Sequence, residues 1–353
     1  MDTMNYKKKI TIIAHGLSNG GAERVASILA NYLNKYFYVS YIAVYDSKKE
    51  YFLDETIDYY FINTRKKNKL SKLISRNISI KKLLKKINPD IVISFINNET
   101  LYSIKKYKFI YSLRNDPNHV NNGFLERNIR NYLYKNSKAI VFQTFEAKNY
   151  FSDKIRQKGI IILNPIEVEK LGVWSGVESK TFVTACRLNS QKNLPMLIKA
   201  FKQLHLDYPD YKLEIYGKGE EFETLNEMVK EIDYIKLMGY SSNIHKVMEN
   251  SFSFVLSSDY EGLSNSMLEA LCIGIPSICT DCPPGGARMV ITDGINGYLT
   301  NVNDAAMMYN KMKYLIEHKI ELNDVSLNAI NIRNDVSSEK VCLKWFELVN
   351  SLL

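Results

Sequence analysis

The stretch that decides the fold is residues 251–288, which read SFSFVLSSDYEGLSNSMLEALCIGIPSICTDCPPGGAR. The apolar run at 252–256 is typical of a buried parallel strand, and turn-forming residues follow it. A helix is predicted over 266–273 and a second strand over 276–280, because a Gly-Ile-Pro sequence separates the two. Strand, loop, helix and strand in this order indicate one unit of a doubly wound α/β sheet.

Two carboxylates, Glu261 and Glu269, flank the turn that joins the first strand to the helix. On one helix they would lie about 12 Å apart, farther than the roughly 5.5 Å or 9.5 Å used by glycoside hydrolases. A loop could shorten that distance, so the spacing alone leaves a hydrolase pair open. The favoured interpretation is that one carboxylate binds ribose hydroxyls while backbone amides at the helix start face a phosphate. A nucleotide sugar carries both groups.

The alternation of strands and helices continues along the chain and predicts two Rossmann-like domains facing each other across a cleft. The first domain is expected at 1–165 and the second at 166–353, with the boundary at Asn164 and Pro165. The predicted strands are 9–14, 38–44, 59–62, 91–95, 109–113, 139–143 and 159–163, then strands near residues 181, 213, 235, 252 and 277.

The composition, with 46% apolar residues, 16 Gly and 8 Pro, is that of a soluble globular protein. A membrane span needs an apolar run of roughly 18 to 20 residues, and neither such a run nor a signal-peptide pattern is visible. We therefore expect a cytoplasmic protein with five reduced cysteines. Cys279 and Cys282 have metal-site spacing but no second cysteine pair, so we expect no metal.

The charge divides unevenly between the two predicted domains. Residues 1–165 hold 29 Lys and Arg against 13 Asp and Glu, and residues 166–353 hold 18 against 25. The densest basic segment begins at Arg65, ends at Lys86 and contains ten basic residues, no acidic residue and interleaved Leu and Ile. This pattern predicts a basic amphipathic helix that binds an anionic membrane surface. An ordinary surface helix is the alternative, and nucleic acid is not expected because interleaved aromatic residues are missing.

These motifs together resemble the retaining family 4 glycosyltransferases, whose two-domain fold is called GT-B. The family's two Glu separated by seven residues correspond to Glu261 and Glu269. The likeness extends to HGLSNGGAERV at 15–25, RLNSQKN at 187–193, YGKGEE at 216–221 and MGY at 238–240. The DCPPGGAR sequence is similar to enzymes that build bacterial surface polysaccharides and lipid-linked oligosaccharides from UDP-activated hexoses or N-acetylhexosamines.

The resemblance implies roles for individual residues. Arg187 and Lys192 would hold the departing diphosphate, Glu269 the ribose, and Glu261 the donor sugar or its phosphate. Further residues implied at the donor are Gly20, Gly21, Gly217, Gly219, Tyr240, Gly262, Leu263, Ser264, Asn265, Ser266 and Arg288. The glycine pairs also fit simple turns.

The likeness is incomplete where many relatives place a His at the reacting centre. The matching region reads SLRNDPNH, so Asp116 or Asn115 is assigned there ahead of His119. Cys186 replaces a Gly and Met289 a Glu of the family pattern. His205, His245 and His318 are expected on the surface, and the last helix, about 338–352, is expected to cross back to the first domain.

The predicted function is a retaining, metal-independent glycosyltransferase. It would use a nucleotide sugar, expected to be a UDP-sugar, as co-substrate without a cofactor, and a lipid-linked or glycan acceptor. Its expected location is the cytoplasm, peripheral on the inner face of the cytoplasmic membrane. A non-catalytic partner that binds a nucleotide sugar or membrane, and an epimerase or phosphorylase of the same fold, are the alternatives.

Overall fold

A computed structural model describes residues 7–18, 20–64, 68–121 and 123–353 of the chain. The chain divides into two compact units. Unit 1 runs to Pro165 and also includes Ser338–Leu353, and unit 2 is Ile166–Ser337. Each unit is built on its own parallel sheet.

Unit 1 has the strand order β3-β2-β1-β4-β5-β6-β7, and all neighbouring strands are parallel. Its strands are β1 Lys9–Ala14, β2 Tyr38–Ala43, β3 Asp58–Phe61, β4 Ile91–Ser94, β5 Lys108–Ser112, β6 Ala139–Phe142 and β7 Gly159–Ile161. Its first helices are α1 Gly21–Asn34, α2 Lys69–Ile87, α3 Phe124–Asn136, α4 Phe145–Asn149 and α5 Asp153–Arg156. A 3₁₀ turn, Asn98–Thr100, follows β4.

The strands of unit 1 are apolar on both faces because helices cover both sides of a doubly wound sheet. Ile12 belongs to one buried cluster and its neighbour Ile13 to the other. Successive side chains of a strand point to opposite faces, so each central strand contributes to both cores. The continuous apolar runs that predicted these strands are explained in this way.

Unit 2 has the strand order β10-β9-β8-β11-β12-β13, again with parallel neighbours. Its strands are β8 Thr181–Ala185, β9 Lys212–Tyr216, β10 Ile235–Gly239, β11 Ser253–Leu256, β12 Ser277–Thr280 and β13 Tyr298–Thr300. Its helices are α6 Leu194–Asp207, α7 Phe222–Val229, α8 Ile244–Asn250, α9 Asn265–Ile273, α10 Ala305–Glu317, α11 Leu322–Ile330 and α12 Arg333–Val336. Its 3₁₀ turns are Val168–Lys170, Ser190–Lys192 and Lys319–Glu321.

The last helix, α13 Ser338–Leu352, packs within unit 1. Val341 and Trp345 are buried in the same apolar cluster as the inner face of α1. The ammonium of Lys108, at the start of β5, donates to the carbonyl of Leu352 over 2.7 Å. The C-terminal helix therefore completes the core of a unit whose other elements come from the first half of the sequence.

The predicted α/β class with two Rossmann-like sheets is confirmed. Most strands lie within one or two residues of their predicted bounds, whereas β13 was not predicted. Of the predicted basic segment, α2 holds the part from Lys69 onward, and Arg65, Lys66 and Lys67 lie outside the described residues. Within the described ranges, no helix combines the length and apolar character that a membrane crossing requires.

Candidate active site

The predicted site residues of unit 2 gather at the carboxyl edge of its sheet, where the strand order reverses between β8 and β11. Such a switch point is where open α/β sheets bind ligands. The loop after β8 carries Arg187 and Lys192, and the loop after β11 carries Glu261. These two loops are about 70 residues apart in the sequence. They lie side by side because β8 and β11 are neighbouring strands.

At the centre of this edge, the ammonium of Lys192 forms an ion pair with Glu261 Oε2. The same oxygen accepts from Gln191 Nε2 at 3.3 Å and from the Ser258 hydroxyl at 3.4 Å. The Lys192 and Glu261 side chains retain only 11% and 19% of their exposed surface. The Lys192 carbonyl accepts from the Ser257 hydroxyl at 2.8 Å, which fixes the lysine against the β11 loop.

The pair controls the protonation state of Lys192. Burial by itself would lower the pKa of the ammonium, but the adjacent Glu261 carboxylate outweighs burial, and the Lys192 pKa lies above its ordinary value. Burial also raises the pKa of the nearby Cys186 thiol to about 11. The site therefore presents a permanent cation beside a neutral thiol.

The β11 and β12 loops are held in contact at Glu261. The Glu261 amide donates to the carbonyl of Pro283 over 2.9 Å. At Gly286 a side chain is excluded, because a Cβ there would lie 1.8 Å from the carbonyl oxygen of Gly262. The Pro-Pro-Gly-Gly turn read from the sequence thus supports the loop that carries Glu261.

Helix α9 begins beside this pair. Ser264 is its N-cap, and the Ser264 hydroxyl accepts from the Met267 amide. Gly262, Leu263 and Ser264 are buried, while Asn265 and Ser266 are half-buried. The first-turn amides of a helix carry partial positive charge and form an anion-binding site.

Glu269 lies on α9 with its carboxylate almost fully buried, and His245 Nε2 of α8 is 3.4 Å from its Oε2. His245 was predicted as a surface residue, and this is wrong, since its ring is half-buried against Glu269. His205 and His318 are also half-buried, stacked on Tyr234 and Tyr314. No local pattern indicates the contact between His245 and Glu269, because it depends on how α8 packs against α9.

The glycines after β9 have a steric role. A Cβ at Gly217 would lie 1.9 Å from the Cys186 carbonyl oxygen, and one at Gly219 would lie 2.1 Å from that of Leu188. These glycines let the β9 loop pack against the loop of Arg187 and Lys192. Tyr240, after β10, is exposed, with the Lys218 ammonium 4.9 Å from the centre of its ring.

Two arginines of the predicted site differ in their surroundings. Arg187 is exposed at the carboxyl edge. Arg288 is also exposed and donates from Nε to Asp281 Oδ1 over 2.5 Å and from a terminal nitrogen to the Asp281 carbonyl. Arg288 therefore stabilises the loop after β12 through its hydrogen bonds to Asp281. Its contact with the donor stays a prediction.

The predicted residues of unit 1 lie at the starts of loops and helices. Gly20 is the N-cap of α1 and Gly21 is its first residue. Asp116 is buried, and both of its carboxylate oxygens are engaged within its own loop: Oδ1 accepts from the Asn118 amide at 2.9 Å and Oδ2 binds His119 Nδ1 at 2.9 Å. These contacts give Asp116 a role in orienting His119, and its assignment to the reacting centre stays a prediction.

The residues of unit 2 also match a known family. Residues 175–332 match the family described as glycosyl transferases group 1, and this span covers most of unit 2. Residues 175–332 form a domain of this family. The Lys192 and Glu261 pair and the start of α9 lie within the matched residues of the glycosyltransferase.

Relatives cover nearly the full length of this glycosyltransferase. The N-acetylgalactosamine-N,N'-diacetylbacillosaminyl-diphospho-undecaprenol 4-alpha-N-acetylgalactosaminyltransferase of Campylobacter jejuni is 26% identical over 88% of this chain and 90% of its own. An uncharacterized glycosyltransferase of Methanocaldococcus jannaschii is 26% identical over 99% of this chain and 100% of its own.

A solved structure shares the fold. HepE of Anabaena, crystallised with UDP and glucose, superposes with a TM-score of 0.83 at 16% identity, over 98% of this chain and 100% of HepE. The GT-B fold class that the sequence predicted is confirmed.

Proposed function

We propose that this glycosyltransferase moves a hexose or N-acetylhexosamine from a UDP-sugar to a lipid-linked or glycan acceptor during bacterial surface-glycan synthesis. The observation that supports this most is the meeting of Lys192, Glu261 and the start of α9 at the switch point of a group 1 domain. HepE was crystallised with UDP and glucose, and the name of the Campylobacter relative specifies a diphospho-undecaprenol acceptor.

Each part of the donor has a proposed partner. Arg187, Lys192 and the first-turn amides of α9 bind the diphosphate and stabilise the charge that develops on it, the effect that usually contributes most to catalysis. Glu269 accepts hydrogen bonds from the ribose. The side-chain contacts of Glu261 described above all fall on Oε2, so Oε1 is assigned to the donor sugar.

The transfer proceeds with retention and without a metal ion. The bond between the anomeric carbon and the diphosphate breaks, the acceptor oxygen bonds to the same face of that carbon, and a diphosphate oxygen takes the acceptor's proton. Arg187 and Lys192 supply the positive charge that this leaving group requires.

The test begins with calorimetric titration of UDP-glucose, UDP-galactose and their N-acetylhexosamine counterparts, followed by UDP release in the presence of bacterial membrane extract. Glu269→Ala should weaken UDP binding. Glu261→Gln should bind UDP at least as tightly as wild type does but lose turnover. Glu227→Gln, on the exposed face of α7, should match wild type in both. Failure of every UDP-sugar to bind would refute the donor assignment, and loss of activity with EDTA that magnesium restores would refute the metal-free mechanism.

We further propose that α2 docks the chain on an anionic bilayer. Leu70, Ile74, Ile78, Lys81 and Lys85 lie within a wedge of about 80° on the helix, at about 100° per residue, and form its outer stripe. The three apolar members are 65%, 40% and 43% exposed, which is unusual for a helix packed on a core. Apolar side chains can insert at the headgroup level while the lysines contact anionic lipid.

The start of α3 extends this surface. Phe124 and Leu125 are strongly exposed, and a 3.1 Å salt bridge between Lys69 and Glu126 joins the starts of α2 and α3. An aromatic and a leucine side chain therefore lie next to the outer stripe. Such a combination of exposed apolar residues and lysines fits a lipid interface better than a nucleic acid.

Sedimentation with liposomes containing anionic lipid tests the docking surface. Replacing Lys81, Lys82, Lys85 and Lys86 by Gln should reduce binding, most strongly at low salt, because the attraction decays over about 8 Å at physiological ionic strength. A control variant replaces four exposed lysines of unit 2, Lys199, Lys202, Lys230 and Lys236, and makes the same change in net charge. Equal binding of the two variants would contradict a specific role for α2.

A further inference from the structure

Two helices of unit 2 bring a histidine against the carboxylate that is proposed to hold the ribose of the donor. Helix α8 follows β10 and α9 follows β11, so both helices begin at the carboxyl edge of the parallel sheet. His245 is the second residue of α8, and Glu269 lies in the second turn of α9. His245 Nε2 is 3.4 Å from Glu269 Oε2. The contact therefore lies at the edge where open α/β sheets bind ligands.

The two side chains differ in exposure. The His245 side chain retains 27% of its exposed surface, whereas the Glu269 side chain retains 5%. A carboxylate with so little open surface cannot turn freely to meet a ligand, so its protein neighbours have to orient it beforehand. Burying an ionised carboxylate is also costly unless a partner offsets the cost. An imidazole offsets it as an N–H donor and, when protonated, as a cation.

The separation of α8 and α9 is fixed by hydrogen bonds at their C-terminal ends. The Gly172 amide donates to Glu249 Oε1, in the last turn of α8, over 3.0 Å. The Trp174 amide donates to the carbonyl of Ile273, the last residue of α9, over 2.8 Å. The indole nitrogen of Trp174 donates to the Ser251 carbonyl, just after α8, over 2.7 Å. The segment that contains Gly172 and Trp174 therefore connects the ends of both helices.

Arg333 of α12 connects the same segment to α9. Its Nε donates to the Cys272 carbonyl over 2.6 Å, and a terminal nitrogen donates to the Gly172 carbonyl over 2.5 Å. Because the C-terminal ends of α8 and α9 are held in this way, the first turns of the two helices keep a constant separation. His245 therefore contacts Glu269 in a preorganised arrangement, as a group that supports a binding residue has to do.

We propose that His245 is a positioning residue that orients Glu269 toward the ribose, and that the two residues together set the preference of the donor site for ribonucleotides over deoxyribonucleotides. The inference rests on the proposed UDP-sugar donor and assigns a second residue to recognition of its ribose. A site that hydrogen-bonds a hydroxyl discriminates against an analogue without it, because the buried polar group is then left unpaired. Without the imidazole, Glu269 is oriented less firmly and this discrimination falls.

The experiment measures the affinity of the full chain for UDP, 2′-deoxy-UDP and 3′-deoxy-UDP by calorimetry. The ribose preference is the Kd for a deoxy probe divided by the Kd for UDP. Wild type should prefer UDP over at least one deoxy probe by about 10-fold to 100-fold, the range for a hydrogen bond to a charged group. Glu269→Ala should remove most of this preference. His245→Phe should reduce it about 3-fold to 10-fold, because a ring remains but the N–H donor is lost.

Further variants separate positioning from packing. His245→Gln keeps a nitrogen donor at a similar reach and should recover most of the preference that His245→Phe loses. His205→Phe changes another half-buried histidine of unit 2, which stacks on Tyr234, and should match wild type with all three nucleotides. If His245→Phe does not fold, His245→Ser takes its place, because serine is well tolerated near the start of a helix.

The outcomes distinguish this inference from the proposed function. If His245→Phe weakens all three nucleotides equally, the imidazole only packs, and the inference is overturned. It is also overturned if His245→Gln recovers none of the lost preference. A preference that Glu269→Ala loses but His245→Phe retains would overturn the inference and leave the ribose role of Glu269 intact. Equal binding of all three nucleotides by wild type would overturn both. Wild type that binds neither UDP nor a UDP-sugar would instead refute the proposed donor.

Discussion

Replacement of Lys192 by Met tests whether the central ion pair stabilises unit 2. The substitution keeps the aliphatic chain but leaves the Glu261 carboxylate without its cation. Breaking a fully buried pair in this way costs about 3 to 5 kcal/mol, and partial exposure of both side chains reduces our expectation to about 2 to 3 kcal/mol. For a unit of this size, each kcal/mol of lost stability lowers Tm by about 2 to 4 °C, so Tm should fall by about 4 to 12 °C.

Thermal unfolding of four proteins measures the coupling: wild type, Lys192→Met, Glu261→Gln and the double variant. The double variant should be more stable than the sum of the single losses predicts, with a coupling of about 1 to 3 kcal/mol. Lys230→Met is the matched control. Lys230 forms an ion pair with Glu227, both side chains are mostly exposed, and exposed ion pairs contribute at most about 1 kcal/mol to stability. The ion pair does not stabilise unit 2 if Lys192→Met has the same Tm as Lys230→Met. The same conclusion follows if the stability losses of Lys192→Met and Glu261→Gln simply add in the double variant.

Three further predictions concern pH, loop contact and the last helix. Because the Lys192 pKa is raised on folding above its ordinary 10.5, the ion pair stabilises fully below that pH and is lost as pH rises through the folded value. The Tm difference between wild type and Lys192→Met should therefore stay constant in melts below pH 10.5 and shrink only above it. Gly286→Ala should lower both Tm and turnover, since its Cβ would meet the Gly262 carbonyl, and unchanged kinetics would argue against this contact. Trp345→Ala should lower the free energy of unfolding of unit 1 by about 3 to 5 kcal/mol, measured by urea unfolding. If the substitution destabilised only unit 2, the packing of α13 in unit 1 would be contradicted.

The sequence predicted the sheets well because parallel strands buried on both faces appear as continuous apolar runs. The N-cap of α9 was also predictable, since Ser264 follows the turn residues directly. In contrast, β13 is only three residues long and was missed. A run of that length carries too little periodicity to be separated from a loop.

Residues of the candidate site could be singled out from the sequence, but the contacts between them could not. Lys192 and Glu261 could be singled out by motif, but their ion pair joins segments 69 residues apart and depends on the pairing of β8 with β11. The contact between His245 and Glu269 depends on the packing of α8 against α9.

The Lys192 and Glu261 pair should affect how tightly the proposed donor binds. A diphosphate that approaches Lys192 competes with a carboxylate already in contact with it, and at an effective dielectric constant near 20 two charges about 4 Å apart interact by about 4 kcal/mol. Part of the attraction to the donor is therefore offset by repulsion from Glu261. Because Glu261→Gln removes that repulsion, it should strengthen UDP binding while turnover falls, the pattern of a residue that acts on the transition state more than on the bound donor.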